Sequence, residues 1–283
     1  MSFFSRLLLL SSLVGTLGLT SSLFYSHRAY ACPTPALSRF QRHPVNQGET
    51  LESIAQRYNL TPTTLMNMNP GVRNGQVTVG SELQIPPYNG LVVEVPSGQT
   101  WQQVAQTYQV RPDTLFEING CQPNPTIVFV PDGKTTPSSP PADTQPISIS
   151  GYPLQSVTTV LMSYGWQTHP TTGQVFFHSG VDLLAPVGSP VQAIAPGTIV
   201  FAGNQGSYGQ LVIINHDGGL QSRYAHLGDI RVSVGEKVNQ GDLLGTVGTT
   251  GEPTVSESHL HFEIRSSSDL GWVAEDPQGY LRK

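Results

Sequence analysis

A chain of 283 residues exceeds one ordinary domain and leaves room for two or three compact units. Only 12% of the residues are charged, against 29 glycines and 23 prolines, a composition that favours turns and short strands over long helices. The formal net charge is −5 and no block of Lys and Arg occurs, so the electrostatic footprint of a nucleic-acid binder is missing and no nucleic-acid partner is expected.

Arg6 precedes an apolar run from Leu7 to Phe24, and Ala29-Tyr30-Ala31 supplies a small-x-small cleavage pattern. Residues 1–31 therefore read as an export signal cut after Ala31. An uncleaved anchor is a competing reading, because the run approaches a membrane-spanning length. A lipidated Cys32 is another, disfavoured by Ala29 and Tyr30 in the preceding places. No later segment is apolar over a spanning length, so no membrane contact is expected after cleavage. The chain has two cysteines, Cys32 and Cys121, which an oxidising compartment allows to pair without compelling it.

Residues 45–69 align without a gap on residues 95–119, a repeat with a period of fifty. Val45/Val95, Gly48/Gly98, Thr50/Thr100, Ala55/Ala105, Tyr58/Tyr108, Pro62/Pro112, Leu65/Leu115 and Asn69/Asn119 are among the identical pairs. Leu51, Ile54, Ala55 and Tyr58 fall at i, i+3, i+4 and i+7, one face of a helix, with Thr50 placed as its N-cap. A second short helix follows Pro62, and a run between Val77 and Ile85 closes the unit, giving the order strand, helix, helix, strand. Gly48-Glu49-Thr50-Leu51, Ile54-Ala55, Asn69-Pro70 and Val79-Gly80-Ser81-Glu82-Leu83-Gln84-Ile85-Pro86 resemble the LysM family. The resemblance implies two modules, 43–88 and a divergent 91–131, that bind polymers containing N-acetylglucosamine. In the second copy Gly120-Cys121-Gln122 replaces the Pro70-Gly71 turn and the strand-forming tail reads as shorter. Residues 132–146, with four prolines and no apolar periodicity, form a linker.

Residues 147–283 hold short β-branched runs between glycine-containing turns: Val191–Ala195, Thr198–Ala202, Leu211–Asn215, Leu220–Leu227, Leu243–Val247 and Leu260–Arg265. The fold class expected is mainly β, an antiparallel sheet or barrel-like sandwich without a long helix, behind two small α+β modules. Six of the eight histidines lie here, and His178-Ser179-Gly180-Val181-Asp182 and His259-Leu260-His261 carry the information. Catalytic zinc takes three protein ligands and keeps one position open. Four residues of extended strand span roughly 13 Å, so His178 and Asp182 share an ion only if the chain bends between them, and Gly180 permits a bend. His259 and His261 project from one strand face with Cβ atoms about 7 Å apart.

These motifs, with His169-Pro170, Ala185-Pro186-Val187-Gly188, Tyr208-Gly209, Tyr224-Ala225-His226-Leu227 and Phe262-Glu263-Ile264, resemble the M23 (LytM or lysostaphin-like) family of peptidoglycan metallopeptidases. The resemblance implies one Zn2+ held by His178, Asp182 and His261, with His226 and His259 flanking the water it holds and moving protons. It implies an exported endopeptidase of the periplasm or cell wall that meets the cross-link peptide of peptidoglycan at its active site and the glycan at its LysM modules. The alternative is a non-catalytic wall-binding regulator that activates other hydrolases, expected to have lost a ligand; here all five positions are filled. Glu263 shares the strand face of the two histidines, where it is placed to orient one through its ring N–H; a solvated or structural carboxylate is the preferred reading and it stays outside the site. For His169 packing is preferred over a place lining the cleft. Gln167 and Ser256-Glu257-Ser258 depart from the family pattern and are expected at the groove rim.

Overall fold

The computed structural model describes residues 33–132, 149–171 and 173–283. The expected export signal lies outside them, as does all but Asp132 of the expected linker and the Cys32 half of any pairing with Cys121. Among the described residues no helix is long and apolar enough to cross a membrane.

The first repeat is β1 (Gln41–Pro44), α1 (Leu51–Arg57), α2 (Pro62–Met68) and β2 (Glu82–Ile85), with β1 antiparallel to β2. The second is β3 (Gly90–Glu94), α3 (Trp101–Tyr108), α4 (Pro112–Ile118) and β4 (Ile127–Pro131), paired the same way. Thr50 and Ser53 form a capping box on α1, as Thr100 and Gln103 do on α3, so two otherwise orphaned N–H groups are satisfied at each start. Pro62 and Pro112 open α2 and α4, where a missing N–H costs nothing. The repeated asparagine has a structural cause. Asn69 donates to the Leu65 and Gln84 carbonyls and accepts from the Gln84 N–H, and Asn119 does the same with Leu115 and Phe129, tying each second helix to its closing strand. The second repeat's closing strand is not the shorter one: β4 has five residues and β2 four.

The C-terminal half consists of β5 (Val160–Met162), β6 (Gly165–Thr168), β7 (Val175–His178), β8 (Val181–Leu184), β9 (Pro190–Gln192), β10 (Gly197–Asn204), β11 (Gln210–His216), β12 (Leu220–Ile230), β13 (Lys237–Val238), β14 (Leu243–Val247), β15 (His259–Ser268) and β16 (Gly271–Glu275). It is mainly β, and its described residues contain no α-helix. One antiparallel sheet runs β13-β10-β11-β12-β15-β8-β5, with β14 linking β12 to β9 and β16 on β15; β6 and β7 form a separate hairpin. The strand expected over Val191–Ala195 stops at Gln192, because the Ala193 N–H and C=O bond to the loop residues Asp242 and Gly241 instead of a strand.

The cores divide unevenly. Val45, Leu51, Ile54, Leu65, Leu83 and Ile85 give the first repeat an apolar core of its own. In the second, Trp101, Val104, Leu115, Phe116 and Val130 belong to one cluster with Phe177 and Ala274 of the C-terminal half, and Trp166 packs against it.

Candidate metal centre

Antiparallel pairing of β8 with β15 sets Asp182 opposite His261 and Leu184 opposite His259. His178 ends β7, and the chain reverses through Ser179-Gly180 into β8, so the bend required between His178 and Asp182 is present. Gly180 serves it by close approach and not by an unusual backbone angle: a Cβ there would sit 2.3 Å from the Phe262 carbonyl oxygen.

His178, Asp182 and His261, all buried, offer ligand atoms within 4.8 Å of one another. The far side of each ring decides which nitrogen faces inward. His178 donates Nδ1–H to the Ser163 carbonyl at 2.9 Å, leaving Nε2 at 3.2 Å from Asp182 Oδ1. His261 points Nε2 at Glu263 Oε1, 3.1 Å away, and Nδ1 at Asp182 Oδ1, 2.8 Å away. The two inward nitrogens are 3.1 Å apart. With each outer nitrogen engaged by an acceptor, the inner atoms of the neutral rings are two lone pairs converging on a carboxylate, which only a cation or an added proton relieves. Burial works against a charged His261, but hydrogen bonds to Asp182 and Glu263 push it up to about 9. Burial likewise opposes the Asp182 charge, and His178 and His261 hold its carboxyl far below the usual range. Two imidazole nitrogens and a carboxylate are a donor set suited to zinc, and the residues present fit that ion.

His226 and His259 stand beside this trio, their ring centroids 5.3 Å apart. Both give Nδ1–H to a backbone carbonyl, His226 to Thr250 at 2.8 Å and His259 to Glu257 at 2.7 Å, so both keep Nε2 free of those bonds. His259 Nε2 is buried, has no hydrogen-bond partner and lies 3.7 Å from Asp182 Oδ2. Burial and the neighbouring His261 pull His226 down to about 4, so its ring is neutral near pH 7. His226 has φ +59°, the left-handed region, where the β11–β12 register slips between Gln210 and Val212. That bulge re-aims the side chain at a cost of about 1–3 kcal/mol.

Glu263 corrects the preferred reading of a solvated carboxylate and matches the other one, bonding the ring N–H of His261. It is fully buried, and Oε1 accepts from Ser179 and Tyr208, each at 2.6 Å, as well as from His261. Its place two residues beyond His261 on the same strand face was the available signal. Gln167 is not simply a rim residue, since its amide donates to the Ser163 carbonyl that also holds His178. Glu257 acts on His259 through its backbone carbonyl, while Ser256 and Glu257 do line the open groove of about 480 Å³ that runs past His226 and His259. His169 is buried against Phe176 and accepts from the Thr171 N–H, as a packing residue should. A smaller cavity of about 50 Å³ lies against His178, His226 and His261, and Glu117 and Cys121 of the second repeat form part of its wall.

Residues 176–271, which contain all five of these histidine and aspartate positions, match the model of Peptidase family M23, and residues 43–86 match that of the LysM domain. The DD-carboxypeptidase/endopeptidase Mpg of Neisseria meningitidis serogroup B is 40% identical over 108 residues, 38% of this chain and 24% of that protein. Lysostaphin of Staphylococcus simulans is 37% identical over 121 residues, 42% of this chain and 24% of that one. The chain thus spans about a quarter of the length of the curated relatives it matches. The crystal structure of the catalytic domain of lysostaphin from the same organism aligns at 33% identity and a TM-score of 0.38, covering 43% of this chain and 90% of that one.

Proposed function

We propose that this chain is an exported zinc-dependent endopeptidase that hydrolyses peptide cross-links of peptidoglycan, with His178, Asp182 and His261 as the ligands. The observation that carries the reading is the convergence of His178 Nε2, His261 Nδ1 and the Asp182 carboxylate, with both outer ring nitrogens already committed to acceptors. When bound, zinc polarises a scissile carbonyl and brings water to a pKa of about 7. The protein's own part lies with His226 and His259. Their Nδ1–H bonds to Thr250 and Glu257 fix the neutral tautomer with a lone pair on Nε2, the form that takes a proton from water. Once protonated, the same nitrogen faces the developing oxyanion and returns the proton to the leaving amine. The groove past Thr254 and Glu257 gives an extended peptide a path to both rings. The first repeat, which matches the LysM domain, holds the glycan and raises the local concentration of cross-links.

The test is mass spectrometry of fragments released from purified sacculi, with zinc measured in the same preparation. New peptide termini that vanish with chelator and return with zinc are expected. Sacculus binding without fragments, from zinc-loaded protein, would favour a regulator of other hydrolases. Full cleavage by metal-free protein would defeat the mechanism.

A further inference from the structure

Resting on that reading, we propose that Glu117, carried by α4 of the second repeat, is a positioning residue of the metal centre, acting through Arg265 on the Glu263 carboxylate that holds His261. A continuous buried chain of contacts joins them. Glu117 Oε1 accepts from Arg265 Nη2 at 2.9 Å and Oε2 lies 3.4 Å from Nη1; Arg265 Nε donates to Glu263 Oε2 at 2.6 Å. Glu263 Oε1 then takes the His261 Nε2–H at 3.1 Å, so the ring presents Nδ1 to the ligand cluster. Arg265 is 2% exposed, Glu117 8% and Glu263 not at all, so water screens this chain little.

Geometry dictates what Glu117 does. A buried guanidinium flanked by two carboxylates divides its charge between them, and Glu263 keeps enough negative charge to bind the His261 N–H strongly. That bond fixes the tautomer and raises the basicity of the ligand nitrogen. Without the Glu117 charge, Arg265 has Glu263 as its nearest counter-anion and draws that carboxylate away from His261. Burial, with the neighbouring Glu263 charge, leaves the Glu117 carboxyl above its ordinary value although Arg265, with two nitrogens facing it, pulls the other way, so the Glu117 charge is held there by the Arg265 contact. The isosteric Glu117→Gln removes the charge and keeps the volume. A purely adhesive role is separable, because the side chain of Phe116, the preceding residue on α4, packs on the aromatic cluster of Trp101 and Trp166, with its ring 5.2 Å from that of Trp166 between centroids, and carries no charge.

The experiment measures the zinc dissociation constant by competition with a chromophoric chelator, and the metal-free melting temperature, for the intact protein, Glu117→Gln and Phe116→Leu. Loss of an outer partner costs about 10–100-fold in metal affinity, and one step further out the lower end, about tenfold, is expected for Glu117→Gln. Phe116→Leu should lower the melting temperature and leave the zinc constant unchanged. An unaltered constant in Glu117→Gln, or an equal weakening in Phe116→Leu, overturns the proposal while leaving the metal reading intact. An intact protein that binds no zinc overturns both. Should Glu117→Gln fail to fold, Glu117→Asp, whose carboxylate falls one methylene short of Arg265, takes its place: weakened zinc binding supports the proposal and an unchanged constant ends it.

Discussion

In the first repeat His43, Glu49, Arg57 and Tyr58 hold one another: Glu49 bonds His43 at 2.9 Å and Arg57 at 2.7 Å, and Tyr58 bonds the other nitrogen of His43. Fifty residues on stand Val93, Gln99, Thr107 and Tyr108, and the charge cluster is gone. The second helices change in the opposite sense. Thr61, Thr63, Met66 and Asn67 of the first repeat become Arg111, Asp113, Phe116 and Glu117 of the second. Every residue from Asp113 to Ile118 is buried, whereas α2 buries only Thr64 and Leu65. Arg111 reaches the Ala274 carbonyl and Asp113 accepts from Tyr164, beside the Glu117–Arg265 pair. Duplication kept the frame, and divergence moved the polar anchoring from inside the module to its contact with the C-terminal half. The first repeat is left as the one with a core of its own, and the second is joined to the candidate metal centre.

Excision breaks this comparison most severely if it is wrong. Removing residues 89–132 uncovers Phe116's partners and Phe177, whose burial is worth about 1.5–3 kcal/mol per large side chain, and strands Arg265. Turnover of small soluble cross-linked fragments should be lost. Removing only residues 43–86, whose core is separate from the one that reaches Phe177, keeps the cover that Ala36, Phe40 and Tyr88 give to Ile118 and Phe129; it should leave that turnover within about twofold and should weaken binding to intact sacculi. Soluble turnover measured beside sacculus pull-down separates the two; equal losses would make the repeats equivalent after all.

The next effect sets the scale for the centre to which the second repeat is joined. His261→Ala removes a proposed ligand nitrogen together with the acceptor role of Glu263, and zinc and turnover should vanish together. His226→Ala and His259→Ala, whose rings lie outside the ligand trio, should retain zinc and lose about 10²–10⁴-fold in rate, the usual worth of a positioned acid or base. Atomic emission on all three variants checks the division, and zinc lost from His259→Ala but kept by His261→Ala would exchange the roles.

How much of this the residues announce follows from how local the cause is. The i, i+3, i+4, i+7 spacing of Leu51 to Tyr58 and the threonine caps are short-range, and α1 and α3 form where that pattern puts them. Leu243–Val247 is a strand to the residue, and the His178, Asp182 and His261 motifs converge. The strands β5 to β8, three or four residues each and interrupted by Gly and Ser, carry too short an alternation to read. The left-handed backbone of His226 arises from the register of β11 on β12, which no single strand encodes. Glu263 lay on the right face, but its burial rests on the Arg265 and Arg223 guanidiniums, and Arg265 is itself paired with Glu117, 148 residues distant from it in sequence. Nothing local to Trp101 and Phe116 tells that their core continues into Phe177, which only the fold shows.

The smallest expected effect tests the first repeat's self-sufficiency. The Asn46 backbone N–H and then His43 pull Glu49 from its ordinary 4.5 down to about 2. A carboxyl depressed on folding contributes stability that is fully present above its unfolded value and is lost as pH falls through the folded one, so the window runs from about 4.5 to about 2. Gln99, at the equivalent place in the second repeat, has no proton to take up. Melting followed by the amide NMR signals of residues 51–57 and 101–108 in one sample reads the two repeats side by side. The first should melt at progressively lower temperature across that window, and Glu49→Gln should flatten its slope without altering the second. Identical slopes for both repeats in the wild-type chain, unaffected by Glu49→Gln, would mean that the first repeat does not rely on its own charge cluster and that the contrast between the two lies in the docking face of α4 alone.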